Sequence, residues 1–166
     1  MLVRRSLTLF VSVLAATSTL GAQSAKPPQP VVPAFAITIS PESGVVKAGS
    51  KVTVRATLVN KSTNNLLFSD ENIAELDFKA DVRDSQGNLA PLTEYGGSVM
   101  RNEAEPVIGS AGYSFVHPGE AKKSDVVITK LYNLSQPGKY TIQVQRIDDA
   151  HNIVVKSNTI TVTVTP

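Results

Sequence analysis

His117 and His151 are the two side chains of this chain whose ordinary pKa lies near neutrality, and fourteen Asp and Glu carboxylates are further acid–base candidates. Neither histidine belongs to a His-Glu-x-x-His zinc pair, no Gly-x-Ser-x-Gly turn presents a serine nucleophile, and no Ser-x-x-Lys pair offers an acylation site. Gly109-Ser-Ala-Gly112 lacks the Lys-Ser/Thr ending with which a phosphate loop grips its nucleotide. Asp148 and Asp149 form a carboxylate pair in sequence, but neighbours on a strand or turn point to opposite sides, which does not suit shared acid–base work. The chain has no cysteine, so disulfides, thiolate zinc sites and cysteine nucleophiles are all excluded. The expectation is a protein that is not an enzyme and needs no cofactor.

Two groups of residues remain as binding candidates. Asp70 and Glu71 in one turn and Asp148 and Asp149 in another supply hard oxygen ligands of the kind Ca²⁺ takes, although their spacing matches no known metal loop. On the strand order read below, these turns share one end of the fold with Glu75, Glu120 and both histidines. The second group is apolar: Tyr95, Val99, Met100, Val107 and Ile108 lie among glycines in Thr93 to Gly112, where strand periodicity is lost. A long irregular loop is expected there, and such loops are often functional. Asn60-Lys-Ser62 and Asn133-Leu-Ser135 match glycosylation sequons.

The elements that must position these residues alternate with period two. Phe35, Ile37 and Ile39 alternate with small or polar residues before a turn at Pro41 to Gly44, and Val45-Val46 begins a second short extended piece. Val52, Val54, Ala56 and Leu58 are expected inward, with Lys51, Thr53, Arg55 and Thr57 outward. A brief apolar run follows at Leu66 to Phe68. Phe78, Ala80 and Val82 alternate again, and Asp84-Ser-Gln-Gly87 closes a hairpin into Asn88 to Leu92, with Gly87 at positive φ. Further strands are read at Tyr113 to Val116, at Val126 and Ile128, at Lys139 to Arg146, and as one long closing strand from Ile153 to Thr165. His117-Pro-Gly-Glu120 is a tight turn, and Ile73 to Leu76 and Leu131 to Ser135 have room for a single helical turn each. No ten residues carry an apolar stripe of helical period.

The first residues have a different character. Met1 to Arg5 is short and basic, Ser6 to Leu20 is apolar and small, and Gly21 to Ala25 offers small residues for cleavage, which is expected after Ala22. The apolar run is about 15 residues, short of the roughly 20 that span a bilayer. Residues 1–22 are therefore expected to be a signal peptide. Residues 23–34 form a proline-rich linker, and residues 35–166 one domain. Without Arg4 and Arg5, the 16 basic residues fall to 14 against 14 acidic ones, which leaves no electrostatic motive for nucleic acid binding or, once the leader is removed, for membrane insertion.

Seven to nine short strands punctuated by Gly, Pro, Asn and Asp predict an all-β Greek-key sandwich. Leu134-Ser-Gln-Pro137-Gly138-Lys-Tyr140-Thr-Ile-Gln-Val144 resembles the penultimate strand of bacterial immunoglobulin-like and fibronectin type III domains. In those domains a tyrosine closes a corner on backbone a few residues upstream, a role the resemblance gives to Tyr140. Ser157 to Val164 resembles their final strand. The order Asn60-Lys-Ser, Leu67-Phe-Ser, Asp81 to Gly87, His117 to Glu120 and Pro137 to Tyr140 also resembles the bacterial intracellular proteinase inhibitor family. The expected function is that of a secreted or periplasmic Ig-like domain that binds or supports another macromolecule, a protein, through loops. Alternatives are a proteinase inhibitor acting through an exposed loop and an accessory or carbohydrate-binding module, the last disfavoured by 5% aromatic content and no Trp.

Overall fold

The computed structural model of the protein describes residues 31–70, 73–101 and 112–166. The leader, most of the proline-rich linker, Glu71, Val107 and Ile108 lie outside the described residues. In chain order the strands are β1 (Phe35–Pro41), β2 (Val45–Lys47), β3 (Thr53–Asn60), β4 (Leu66–Asp70), β5 (Lys79–Arg83), β6 (Gly112–Val116), β7 (Ala121–Val127), β8 (Gly138–Asp148), β9 (Ile153–Lys156) and β10 (Ile160–Thr165). Three short helices, α1 (Ala74–Asp77), α2 (Glu94–Met100) and α3 (Ile128–Leu131), interrupt them.

One sheet has the order β1-β3-β7 and is antiparallel throughout. A second runs β2-β10-β8-β5, with β2 parallel to β10 and β9 paired to the far end of β8. The first strand thus pairs with one sheet and its short continuation with the other, beside the last strand. That split first strand, with the remaining strand order, is the Greek-key arrangement of an Ig-like sandwich. Register explains the core. Ile37 faces Leu58 and Val54 faces Val126 in the first sheet, while Ile142 faces both Ile160 and Val82 in the second. Val54, Ala56, Leu58, Val82, Val126, Ile142, Val144 and Val162 are sealed between the sheets. Each large aliphatic among them contributes roughly 1.5–3 kcal/mol over leaving it exposed.

Several expectations are corrected here. The segment from Thr93 is not irregular throughout: α2 occupies Glu94–Met100, and the Thr93 hydroxyl caps it by accepting from the Gly96 N–H at 2.9 Å. Gly96 and Gly97 are buried and serve close packing. A Cβ on Gly96 would lie 1.9 Å from the Leu131 carbonyl oxygen, so the contact with α3 requires glycine. The helical turn expected at Leu131 to Ser135 falls earlier, at Ile128–Leu131, and takes Ile128 out of the strand; that expected at Ile73 to Leu76 is α1. Asn88 to Leu92 makes only isolated bridges, Arg83 to Leu89 and Leu92 to Tyr132, although Gly87 does turn the chain at φ 84°.

The long closing strand is broken. Gln145 faces Lys156 but Ile142 faces Ile160, so three steps along β8 are matched by four along its partner, and the extra residue makes a bulge at residues 157–159. The Ser157 hydroxyl accepts from the Val144 N–H there, standing in for the lost ladder bond. Thr53, expected outward, is buried, and its hydroxyl has no hydrogen-bond partner among the described residues.

Candidate functional site

β4 and β6 pair only with each other among the described residues, as an antiparallel ribbon built from the connections on either side of β5. Its inner face carries Leu66, Phe68, Ser114 and Val116. Phe68 meets Phe35 edge-on with ring centroids 5.6 Å apart, and the Arg146 guanidinium stacks 4.8 Å from the Phe68 ring. These contacts fix the ribbon to the sandwich.

The outer face is set by alternation. Leu67 faces Phe115 and Ser69 faces Tyr113, so Leu67, Tyr113 and Phe115 stand on one side, 54%, 70% and 63% exposed. Side chains of this class carry roughly 150–250 Å² each, so the three present about 300–400 Å² of apolar surface, the size of the largest patch on an ordinary monomer. These anchors stand on a strand face, whereas the expected contact is through loops. A second, smaller case is Ile147 opposite Val154 on β8 and β9. Both segments of the ribbon were visible in the sequence as apolar runs. The signal that marks the site is apolar residues at both phases of the alternation, Leu66-Leu67-Phe68 and Phe115-Val116, because a strand covered on one side must show the other phase to something else.

The base of the ribbon is held by Asn60, 1% exposed. Its amide donates to the carbonyls of Asn64 and Val116, both at 2.8 Å, and its Oδ1 accepts from the Ser62 N–H and hydroxyl. An amide so engaged cannot receive a glycan in the folded protein, so the first sequon is structural; Asn133 in the second is exposed. The His117 to Glu120 turn closes over the same residue: Asn60 N–H donates to the Glu120 carbonyl, and His117 Nδ1 lies 2.9 Å from Asn65 Oδ1.

The residues singled out from sequence are placed as follows. Val99 and Met100 are half-buried and packed against the core, which draws them away from solvent, while Tyr95 is 37% exposed. Asp148 turns inward and Asp149 outward, as neighbours do. Asp148 Oδ2 accepts from Ala34 N–H at 2.7 Å and lies 2.9 Å from His151 Nδ1. Burial by itself would push this carboxyl up, but the Ala34 amide, His151 and the Ala150 amide outweigh it and hold the pKa below the ordinary carboxylate value. Its work is to anchor the start of β1.

Asp70 ends β4. Glu75 is not at that end of the fold: it is buried against the last residue of β7, accepting from Val127 N–H at 2.9 Å, with Lys130 Nζ at 3.5 Å. The cleft there is also lined by Asp77, paired with Arg146, and Asp125, paired with Arg55, so its carboxylates are already engaged. No group of three or more metal-ligating side chains converges among the described residues. Tyr140 makes the corner the resemblance implies, its hydroxyl donating to the Gln136 carbonyl at 2.9 Å across the Pro137-Gly138 turn.

No family model matches the chain, and no similar curated protein was found. Among solved structures it is similar to the CARDB domain of a Pyrococcus furiosus protein. The solution structure of that domain shows 14% identity over 80% of this chain and 95% of that one, with a TM-score of 0.39. The crystal structure of the same domain, in complex with di-metal ions, gives 15%, 80%, 89% and 0.40. A β-glucosidase from Erythrobacter marinus matches at 13% identity over 80% of this chain but only 16% of its own length, with a TM-score of 0.42. The fold assignment stands on the strand order and pairing described above.

Proposed function

We propose that this chain is an exported, non-enzymatic Ig-like module that works by protein–protein contact, and that the contact is made by the outer face of the β4–β6 ribbon. The observation that carries this reading is the exposure of Leu67, Tyr113 and Phe115 side by side on a strand pair whose opposite face is anchored in the core. Binding energy concentrates in a few large anchors, and aromatic side chains are prominent among them. Export rests on the basic and then apolar leader, and the absence of cysteine leaves stability to the core alone. The carbohydrate-binding alternative lacks support here, because no flat indole is available and the aromatic pair stands on a narrow ribbon.

A photo-crosslinking residue placed at Phe115, with Thr161 on the outer face of the second sheet as comparison, tests the reading in producing cells. The expected result is a crosslinked adduct from position 115 and none from 161, recovered outside the cytoplasm with an N-terminus between Ala22 and Lys26. Equal adducts from both positions, none from either, or recovery of the intact leader in the cytoplasm would overturn the proposal.

A further inference from the structure

We infer that the outer face of the second sheet adsorbs to the surface of an anionic lipid bilayer. This face is not the ribbon, and the inference does not depend on what the ribbon meets. Acidic and basic residues balance over the chain without its leader, but they are not evenly placed. Register puts Lys47, Lys79, Arg83, Lys139 and Lys156 on this face, with Asp81 as the one carboxylate among the outward strand positions. Asp81 is taken by the Arg83 guanidinium, at 2.7 and 3.0 Å. The four lysines are exposed and have no carboxylate partner among the described residues. Asp149, exposed in the turn beyond β8, still leaves the balance basic.

Their positions say what kind of anion fits. Lys79 and Lys156 flank Gln145 on the two strands beside β8, while Lys139 and Lys47 stand toward the other end, next to Thr163 and Thr165 of β10. At the rise of an extended strand, Lys139 and Gln145 are about 20 Å apart along β8. Charges spread over that length match a surface or a polymer that is anionic throughout, whereas a single small anion reaches only one end.

The aliphatic side chains on the same face choose between surface and polymer. Val45 accompanies Lys47, and Ile147 with Val154 lies just beyond Gln145 and Lys156; all three are more than half exposed. A bilayer interface takes apolar side chains at the boundary of headgroups and acyl chains while its anionic headgroups meet the ammonium groups, and the two contributions add. An acidic polysaccharide offers the charge alone and leaves the aliphatic positions unused. Nucleic acid is disfavoured, because no outward position of this face carries an aromatic ring on which a base could stack.

Co-sedimentation with vesicles is the test, one set of equal phosphatidylglycerol and phosphatidylcholine and one of phosphatidylcholine alone. The chain recovered after export is used, because residues 1–22 are basic and apolar in their own right, and every variant shares its N-terminus. The wild type should bind the anionic set at least about tenfold more tightly than the neutral one. Raising salt from about 0.1 M to about 1 M shortens the Debye length from about 10 Å to about 3 Å and should weaken that binding. Lys79→Gln combined with Lys156→Gln should weaken it about twentyfold, at about fivefold for each lysine, and Ile147→Ser about threefold or more. Phe115→Ser, on the ribbon, should leave it unchanged. Thermal melts establish that the variants, all at exposed positions, are folded. Equal binding to both sets, binding to neither, or wild-type binding by the double lysine variant or by Ile147→Ser overturns the inference. Equal weakening by Phe115→Ser moves the contact to the ribbon, and a soluble polyuronate held as tightly as the anionic vesicles gives the face to an acidic polysaccharide; either result also overturns it. The crosslink at position 115 reports on the ribbon alone, so the two readings fail separately.

Discussion

Tyr132 and Tyr140 carry the same phenol and do different things with it. Tyr140 closes a local corner on Gln136, four residues back, whereas the Tyr132 hydroxyl crosses to Ala80 on β5 and donates to its carbonyl at 2.7 Å in a buried site. Burial penalises the Tyr132 phenolate first, with a smaller contribution from Asp81, and pushes its pKa from 10.0 to about 12. The unfolded chain gives up this proton at the ordinary value, so the folded state holds it more tightly. The resulting stability is complete below pH 10.0 and is lost as pH rises toward about 12. Tyr132→Phe is therefore expected to lower stability by about 1–3 kcal/mol at neutral pH, where it strands the Ala80 carbonyl. The same change should also flatten the alkaline fall expected of the wild type. Urea melts of both proteins at neutral and alkaline pH check the two effects together, and a parallel alkaline fall in the variant would show that another group titrates.

At the scale of the element, α2 shows why a glycine count misleads. Gly96 and Gly97 lie in one helix of seven residues, and in an exposed helix replacing glycine by alanine gains about 1 kcal/mol. At Gly96 the new methyl would meet the Leu131 backbone at 1.9 Å, and backbone cannot step aside; at Gly97 it would meet the end of the Arg101 side chain at 3.2 Å. Gly96→Ala should thus destabilise by about 1–3 kcal/mol or more, while Gly97→Ala should change stability by less than about 1 kcal/mol. Paired denaturant melts decide, and equal effects would mean that α2 does not rest on α3 through Gly96. The helix was illegible because glycines and one capping threonine resemble a loop in sequence, and their purpose is visible only from the neighbour they approach. The strands were legible wherever one face met the core: Val52 to Leu58 and Tyr140 to Val144 bury the phase their alternation predicts. Thr53 and the bulge at residues 157–159 escaped for a related reason, since alternation carries no information about what covers an outer face or where a partner strand gains a residue. The ribbon's apolar runs were visible, but that β4 would choose β6 as partner, and so leave Leu67 beside Phe115, depends on pairing between segments about fifty residues apart.

The whole molecule is held at its seams by side chains that imitate backbone. Both outer edges of the first sheet, β1 and β7, would otherwise present unpaired N–H groups to any passing strand. On β7, Glu75 takes the Val127 amide; at the start of β1, Asp148 takes the Ala34 amide. Midway along β1, Asn158 does both halves of the work: its Oδ1 accepts from Ile39 N–H at 2.7 Å and its Nδ2 donates to the Ile39 carbonyl at 3.0 Å. The bulge places Asn158 between β9 and β10, and the stitch carries the second sheet across to the edge of the first. This arrangement covers backbone groups on both edges of the first sheet with side chains in place of a further strand. Asn158→Ala removes both bonds and leaves the Ile39 groups half-open to water, at an expected cost of about 1–3 kcal/mol. The more specific consequence is local. Amide hydrogen exchange at Ile39 should quicken by at least about tenfold beyond the change in global stability, because an edge amide without its partner opens on its own. Ala56, on the central strand β3 and paired on both sides, should follow the global change alone. If Ile39 instead exchanges in step with Ala56, the stitch contributes only to overall stability, and something other than Asn158 guards the edge of β1.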